Sequence, residues 1–375
     1  MVPAQRLPAS LTPLDVALAA LLERIEPVAP VEVPLAGALG CVAAEMPPLK
    51  AHPVRDTAVS DGWALHARDL VGASSYSPLP LSAAPVWVDA GDVMPEGCDC
   101  VIDADCVDQN GPLFQVLADA RPGQGVRRTG WDIAEASTFS DFAAGRQIRP
   151  LVLVIARTNG LDSFNVRRPR LRIVGIPASS GEVVTAPLIA ENAQAAGTEV
   201  VCVEAAGRDV VSVANTLEND ACDMLVTIGG SGVGRNDSTI AAIARCGEVL
   251  AHGIALQPGR TTATGRIGNV PVIALPGAVD AALAAWWTLA LPLLDRLSGL
   301  WPRARLTLPL ARKIASSVGI AEVVLLEQVE EAWLPLAVGD LSLLTIARAD
   351  AWLVVPAPSE GFAAGTTVGA YMLRD

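Results

Sequence analysis

The stretch from residue 170 to residue 300 constrains this chain more than any other. An apolar strand, RLRIVGIPAS, runs into a loop of small residues. Helical and extended patterns then alternate: LIAENAQAAG, TEVVCVEA, DVVSVANTLEN, DMLVTIGG, DSTIAAIARCG. TTATGRIGNVPVIALPG reads as a hairpin with Gly268-Asn269 at its turn, and 278–297 reads as one long closing helix. Strand–helix alternation of this length predicts a doubly wound, mostly parallel sheet with helices on both faces. In such a sheet, ligands bind beyond the carboxyl ends of the strands.

Outside this stretch the periods shorten. Residues 11–25, LTPLDVALAALLERI, read as an amphipathic helix with Thr12 as N-cap before Pro13. VWVDAGDVMPEGCDCVIDADCV and LFQVLADARPGQGVRR are short alternating runs between Gly and Pro turns, the pattern of a small β-rich unit. Residues 150–163 read as a helical connector, and short strands return after Pro302. A chain of 375 residues is too long for one ordinary core. The expected architecture is multidomain α/β plus β. A central doubly wound α/β domain spans 169–300, a small β-rich domain 51–139 and a C-terminal β-barrel-like domain 301–375, while 1–50 and 140–168 make a helical and extended linker domain.

Charge and hydropathy narrow the partners. The net charge of −13 repels nucleic-acid phosphates, so no nucleic acid is expected. The longest nearly uncharged helical run, Ala281 to Leu294, falls short of the roughly 18–20 residues that span a bilayer, so no membrane is expected. MVPAQRLPASLTPLD lacks a basic segment followed by an apolar one, which predicts a cytoplasmic protein. Cys98-Asp-Cys100 is the only close cysteine pair, weak evidence for zinc, and His52, His66 and His252 are far apart. The basic run Arg167, Arg168, Arg170, Arg172 reads as a solvated linker edge, with an anion contact as the alternative.

Three strand ends carry glycine-rich turns: Ser179 to Glu182, Gly229 to Thr239, and Pro276 to Asp280. The second is the most informative, because its glycines let backbone amides approach a phosphate. Asp237-Ser238 then stands where a helix N-cap belongs. The loop matches neither the P-loop nor the dinucleotide fingerprint. Asp61, Asp132, Glu182 and Asp237 are carboxylates flanked by Gly or Ser or close to them; grouped at one cleft they would hold Mg²⁺, and singly they read as caps or turn residues.

In order along the chain, DTAVSDGWALHARD, AGDVMPEGCDCVI, RRTGWDI, VTIGGSGVGRND, ALQPGRTTATG and ALPGAVDAAL resemble the signature segments of the MoeA/gephyrin E-domain family of molybdopterin molybdenumtransferases. The entry segment from Thr12 and the tail from Gly339 are similar to that family as well, so the resemblance covers nearly the whole chain. It implies an elongated subunit, a homodimer and a cleft shared between subunits. The substrates it implies are molybdopterin as its AMP adduct, and molybdate, with Mg²⁺ as cofactor and AMP released. Catalytic roles are implied for Asp61, Asp132, Glu182 and Asp237, the last also as metal ligand; Asp61 and Asp132 would serve the partner subunit. Pterin contacts are implied for Ser180, Gly181, Asp223, Gly229, Gly230, Ser231, Gly232, Arg235, Arg260, Pro276 and Gly277. The chain departs from the family pattern at Ala90, Ser231, Gly232, Arg235, Gln257, Arg260, Ala278 and Val279. These departures leave open a catalytically altered paralogue that carries molybdopterin to a molybdoenzyme or to other proteins of the cofactor pathway. A third reading is the preceding adenylylation step, since GGSGVGRND is also similar to the loop of that related single-domain activity.

Overall fold

Six strands make the sheet that the central alternation predicts: β1 (Arg170–Gly175), β2 (Glu199–Glu204), β3 (Met224–Ile228), β4 (Glu248–His252), β5 (Ala263–Ile267) and β6 (Val270–Leu275). The computed structural model describes residues 5–110, 113–137, 143–177, 184–217 and 222–373. Across the sheet the order is β2-β1-β3-β6-β5-β4. The first four strands of that order are parallel, while β5 pairs antiparallel with both β6 and β4. Helices α1 (Thr185–Ala195), α2 (Val210–Leu217), α3 (Thr239–Cys246), α4 (Val279–Ala285) and α5 (Leu291–Ser298) cover it. Every residue of β3 is buried, as a strand covered on both faces requires. Ile173, Val226 and Ile273 pack on the α1 and α4 side, and Val174, Leu225 and Val272 on the α2 and α3 side.

Two helices add detail to the sequence reading. The closing helix runs through from Val279 to Ser298, with a π-helical turn, Trp286–Ala290, between α4 and α5. Pro292 has no amide to give, and the Thr288 hydroxyl donates to the Ala284 carbonyl at 2.7 Å, so the ladder changes register just before the proline. The N-terminal helix is only Leu14–Leu22. Thr12 does not cap it; Thr12–Pro13 pairs as a short strand with Ile254 and Ala255, and the Thr12 amide donates to the Gly253 carbonyl.

The C-terminal strands, among them Ala321–Val329, Ala332–Val338 and Ala351–Val355, join Ile254–Gln257 and Thr12–Pro13 in one seven-stranded sheet. Trp333 is fully buried in its core, and Trp287 stacks on Trp352, which stacks on Tyr371. The chain divides into two compact units, Met1–Glu45 with Ala144–Pro150 and Ser163–Asp375, and Met46–Ala143 with Leu151–Asp162. The second unit holds small sheets, including Gly62–Leu65 between Val86–Val88 and Cys100–Ile102. Cys100 is core there: its thiol donates to the Leu65 carbonyl, and burial pushes it up to about 11, away from the thiolate a metal needs. No helix among the described residues is long and apolar enough to cross a membrane.

Asp295, near the end of α5, accepts two hydrogen bonds from Arg303 at 2.7 and 2.8 Å. Burial raises its pKa above the ordinary carboxyl value, and the Arg303 contacts bring it down only in part. A raised carboxyl pKa means the ionised form is disfavoured in the folded state, so stability is lost as pH rises through it. Arg303→Ala removes the compensating partner and should cost about 2 kcal/mol near neutral pH. The cost should be smaller in acid, where Asp295 is protonated; urea melts at both pH values check the sign.

Candidate functional site

The strand order reverses direction between β1 and β3, and an open parallel sheet forms its ligand crevice at that switch point. Three strand ends are tied together there. The Ile176 amide donates to the Ile228 carbonyl and the Gly229 amide to the Leu275 carbonyl, at 2.9 and 3.0 Å. The Thr185 hydroxyl, at the start of α1, donates to the Gly277 carbonyl at 2.7 Å. The loop that contains Ser180, Gly181 and Glu182 lies outside the described residues.

The loop after β3 owes its shape to glycine. Gly229 has φ +93° and Gly230 φ +66°, the left-handed region that side chains resist. Thr239, the first residue of α3, holds both: its hydroxyl donates to the Gly229 carbonyl at 3.0 Å and its amide to the Gly230 carbonyl at 3.2 Å. The Ser231 carbonyl faces Nε2 of His252 at 3.1 Å. Among the described residues the amides of Gly230, Ser231, Gly232 and Val233 find no acceptor. Consecutive unpaired amides in such a turn make an anion-binding concavity. Ser231 is buried, and its hydroxyl has no partner among the described residues.

Asp237 builds this loop. Its Oδ2 accepts the Gly234 amide at 2.9 Å and its Oδ1 accepts Nη2 of Arg208 at 2.9 Å. Nη1 of Arg208 donates to the Pro177 carbonyl at 2.9 Å, which links the end of β1 to the same loop. Ser238 stands at the N-cap of α3 but makes no side-chain cap; its hydroxyl bonds the Arg208 carbonyl. Both Asp237 oxygens are thus engaged, one by a guanidinium, which does not fit a direct Mg²⁺ ligand. Among the described residues no three metal-binding side chains converge.

The remaining expected residues fall in different places. Pro276 is buried and Gly277 exposed at the end of β6, with Gly277 close to Gly229. Arg235 and Arg260 are exposed and make no ion pair among the described residues. Asp223 precedes β3, where it accepts the Arg170 amide at 2.8 Å and pairs with the Arg170 guanidinium. The length of the strand separates it from Gly229 by about 20 Å, so the structure does not bring it to the loop. Arg172 is likewise structural, donating to the Thr216 carbonyl, so Arg170 and Arg172 of the basic run serve the fold. Gln257 donates to the Gly339 carbonyl at 3.1 Å.

In the second compact unit, Oδ1 of Asp61 accepts the Ala90 amide at 2.7 Å, and Asp132 lies 3.6 Å from Arg127. They leave the antiparallel pair Thr57–Ala58 and Val126–Arg127 from opposite ends. Sequence reasoning missed Gln5, Thr185, Arg208 and His252, which act on backbone atoms or on carboxylates far away in the chain and so leave no local pattern.

Residues 12–160 match the MoeA N-terminal region (domain I and II), and residues 175–296 match the probable molybdopterin binding domain. The chain belongs to the MoeA family. The second match runs from the end of β1 into α5 and contains all three strand-end loops. Molybdopterin molybdenumtransferase 2 of Mycobacterium tuberculosis is 28% identical over 314 residues, 72% of this chain and 76% of that one. The molybdopterin molybdenumtransferase of Synechococcus elongatus is 26% identical over 360 residues, 84% of this chain and 87% of that one. The fold is that of the MoeA protein of Pyrococcus horikoshii, with a TM-score of 0.67 at 24% identity, covering 98% of this chain and all of the other.

Proposed function

We propose that this chain binds molybdopterin, as its AMP adduct, at the switch point and inserts molybdenum from molybdate with release of AMP. The observation that carries the proposal is the run of amides from Gly230 to Val233 that find no acceptor among the described residues, in the part of the chain that matches a probable molybdopterin binding domain. Those amides donate to the phosphate oxygens of the ligand, and exposed Arg235 and Arg260 offset the charge of phosphate and molybdate. Water cuts the phosphoanhydride to give molybdopterin and AMP. Two dithiolene sulfurs replace one oxo group of molybdate, and that oxygen leaves with the two thiol protons as water. Glu182 acts from the first loop, while Asp61 and Asp132 serve a second copy of the chain in a homodimer. No step is routed through Mg²⁺, because Asp237 is held by Arg208. The chemistry belongs in the cytoplasm, where the cofactor is assembled.

A second reading has one observation in its favour: the carboxylate expected to hold metal is committed to the loop. On that reading the chain holds molybdopterin for a molybdoenzyme without inserting the metal. Complementation of a bacterial strain that lacks its molybdenum insertase separates the two. Nitrate reductase activity restored at ordinary molybdate, and lost again with Asp61→Ala, is the expected result. No rescue by a soluble protein that binds molybdopterin would replace insertion with carriage.

A further inference from the structure

The three contacts of one remote side chain point to a positioning residue for the ligand loop. Nε2 of Gln5 donates to the Gly230 carbonyl at 3.0 Å and to the Gly232 carbonyl at 2.8 Å. Its Oε1 accepts the Ile240 amide, in the first turn of α3, at 2.8 Å. The carboxamide therefore uses both its donors and its acceptor on residues more than two hundred positions away. The segment that carries it is anchored too. Leu7, Pro8 and Leu11 pack against Gly253, and the Thr12 amide donates to the Gly253 carbonyl.

A trans peptide directs its carbonyl and the following amide to opposite sides. With the Gly230 and Gly232 carbonyls drawn to Gln5, the Ser231 and Val233 amides face away from it. With the Ser231 carbonyl turned to His252, the Gly232 amide faces away from that ring. We infer that Gln5 is a positioning residue: it fixes the carbonyls of the loop on one side so that its amides stay presented to the ligand. Glutamate at this position keeps the acceptor for Ile240 but loses both donors and sets a negative charge against two carbonyls. Alanine loses all three contacts. The inference rests on the loop being the pterin site, and the test separates the two.

Full-length Gln5→Ala and Gln5→Glu are compared with the unsubstituted protein in two measurements. Amide hydrogen exchange without ligand should rise across 229–240 and stay unchanged across 224–228. The dissociation constant for molybdopterin, followed by pterin fluorescence, should rise about tenfold in both variants, with melting temperatures close to that of the parent. Unchanged exchange and unchanged affinity overturn the inference. Tighter binding by Gln5→Ala overturns it as well, since Gln5 would then occupy the place of the ligand. If the parent binds no molybdopterin, the functional reading fails, and the exchange pattern alone still decides for or against Gln5.

Discussion

Gly230→Ala should weaken molybdopterin binding about a hundredfold while the chain stays folded. The left-handed conformation at φ +66° costs an alanine about 1 kcal/mol by itself. The added methyl also lands 2.4 Å from Oγ1 of Thr239. That hydroxyl can turn away only by releasing the Gly229 carbonyl, and Thr239 is fully buried, so water cannot replace the bond. Shifting the loop relieves the clash but moves the row of amides off the ligand. Gly268→Ala is the control, because Gly268 has a similar φ of +58° with nothing within 4 Å of the added methyl. It should lose stability and keep affinity. Calorimetric titration and a thermal melt on both variants test this; equal affinities would mean that the loop is not the binding element.

What the sequence revealed and what it hid follow from the physics of each signal. The sheet was legible because buried parallel strands and their covering helices impose long, repeated apolar patterns, and glycine marks the turns where β1, β3 and β6 end. Asp223 could have been placed from the same pattern: it stands before β3, at the end of the sheet opposite to where ligands bind. Asp237 was legible as a residue of the loop after β3 but not in its partner, since nothing near Arg208 in the sequence marks a bond to a carboxylate 29 positions on. Gln5 carries even less signal, as single contacts to backbone carbonyls have no period. Thr12 read as a cap because its local sequence suits one, yet pairing with Ile254 claims it. The closing helix is continuous, as its pattern predicts; its π-helical turn follows from Pro292, which was visible, and from the hydroxyl of Thr288, whose bond to Ala284 was not.

Arg208→Met should be the most damaging single change at the switch point that leaves every glycine in place. The guanidinium joins the end of β1, through the Pro177 carbonyl, to the loop before α3, through Asp237. Both side chains of the pair are largely buried, with 26% and 15% exposure. Methionine keeps the length and apolar stem but gives no donor. It leaves the Asp237 carboxylate with the Gly234 amide as its one hydrogen bond shown by the structure. Uncovering one partner of a largely buried pair costs about 2–4 kcal/mol. Affinity for molybdopterin should fall about a hundredfold along with it, because the two halves of the crevice are no longer held in register. The double variant Arg208→Met, Asp237→Asn separates the effects. Removing the stranded charge should recover most of the stability lost in urea melts, whereas the tie to Pro177 stays broken and affinity stays low. Recovery of affinity together with stability would mean that Arg208 only neutralises Asp237. A single variant as stable as the parent would mean that the pair contributes nothing and that the glycines and Thr239 shape the loop alone.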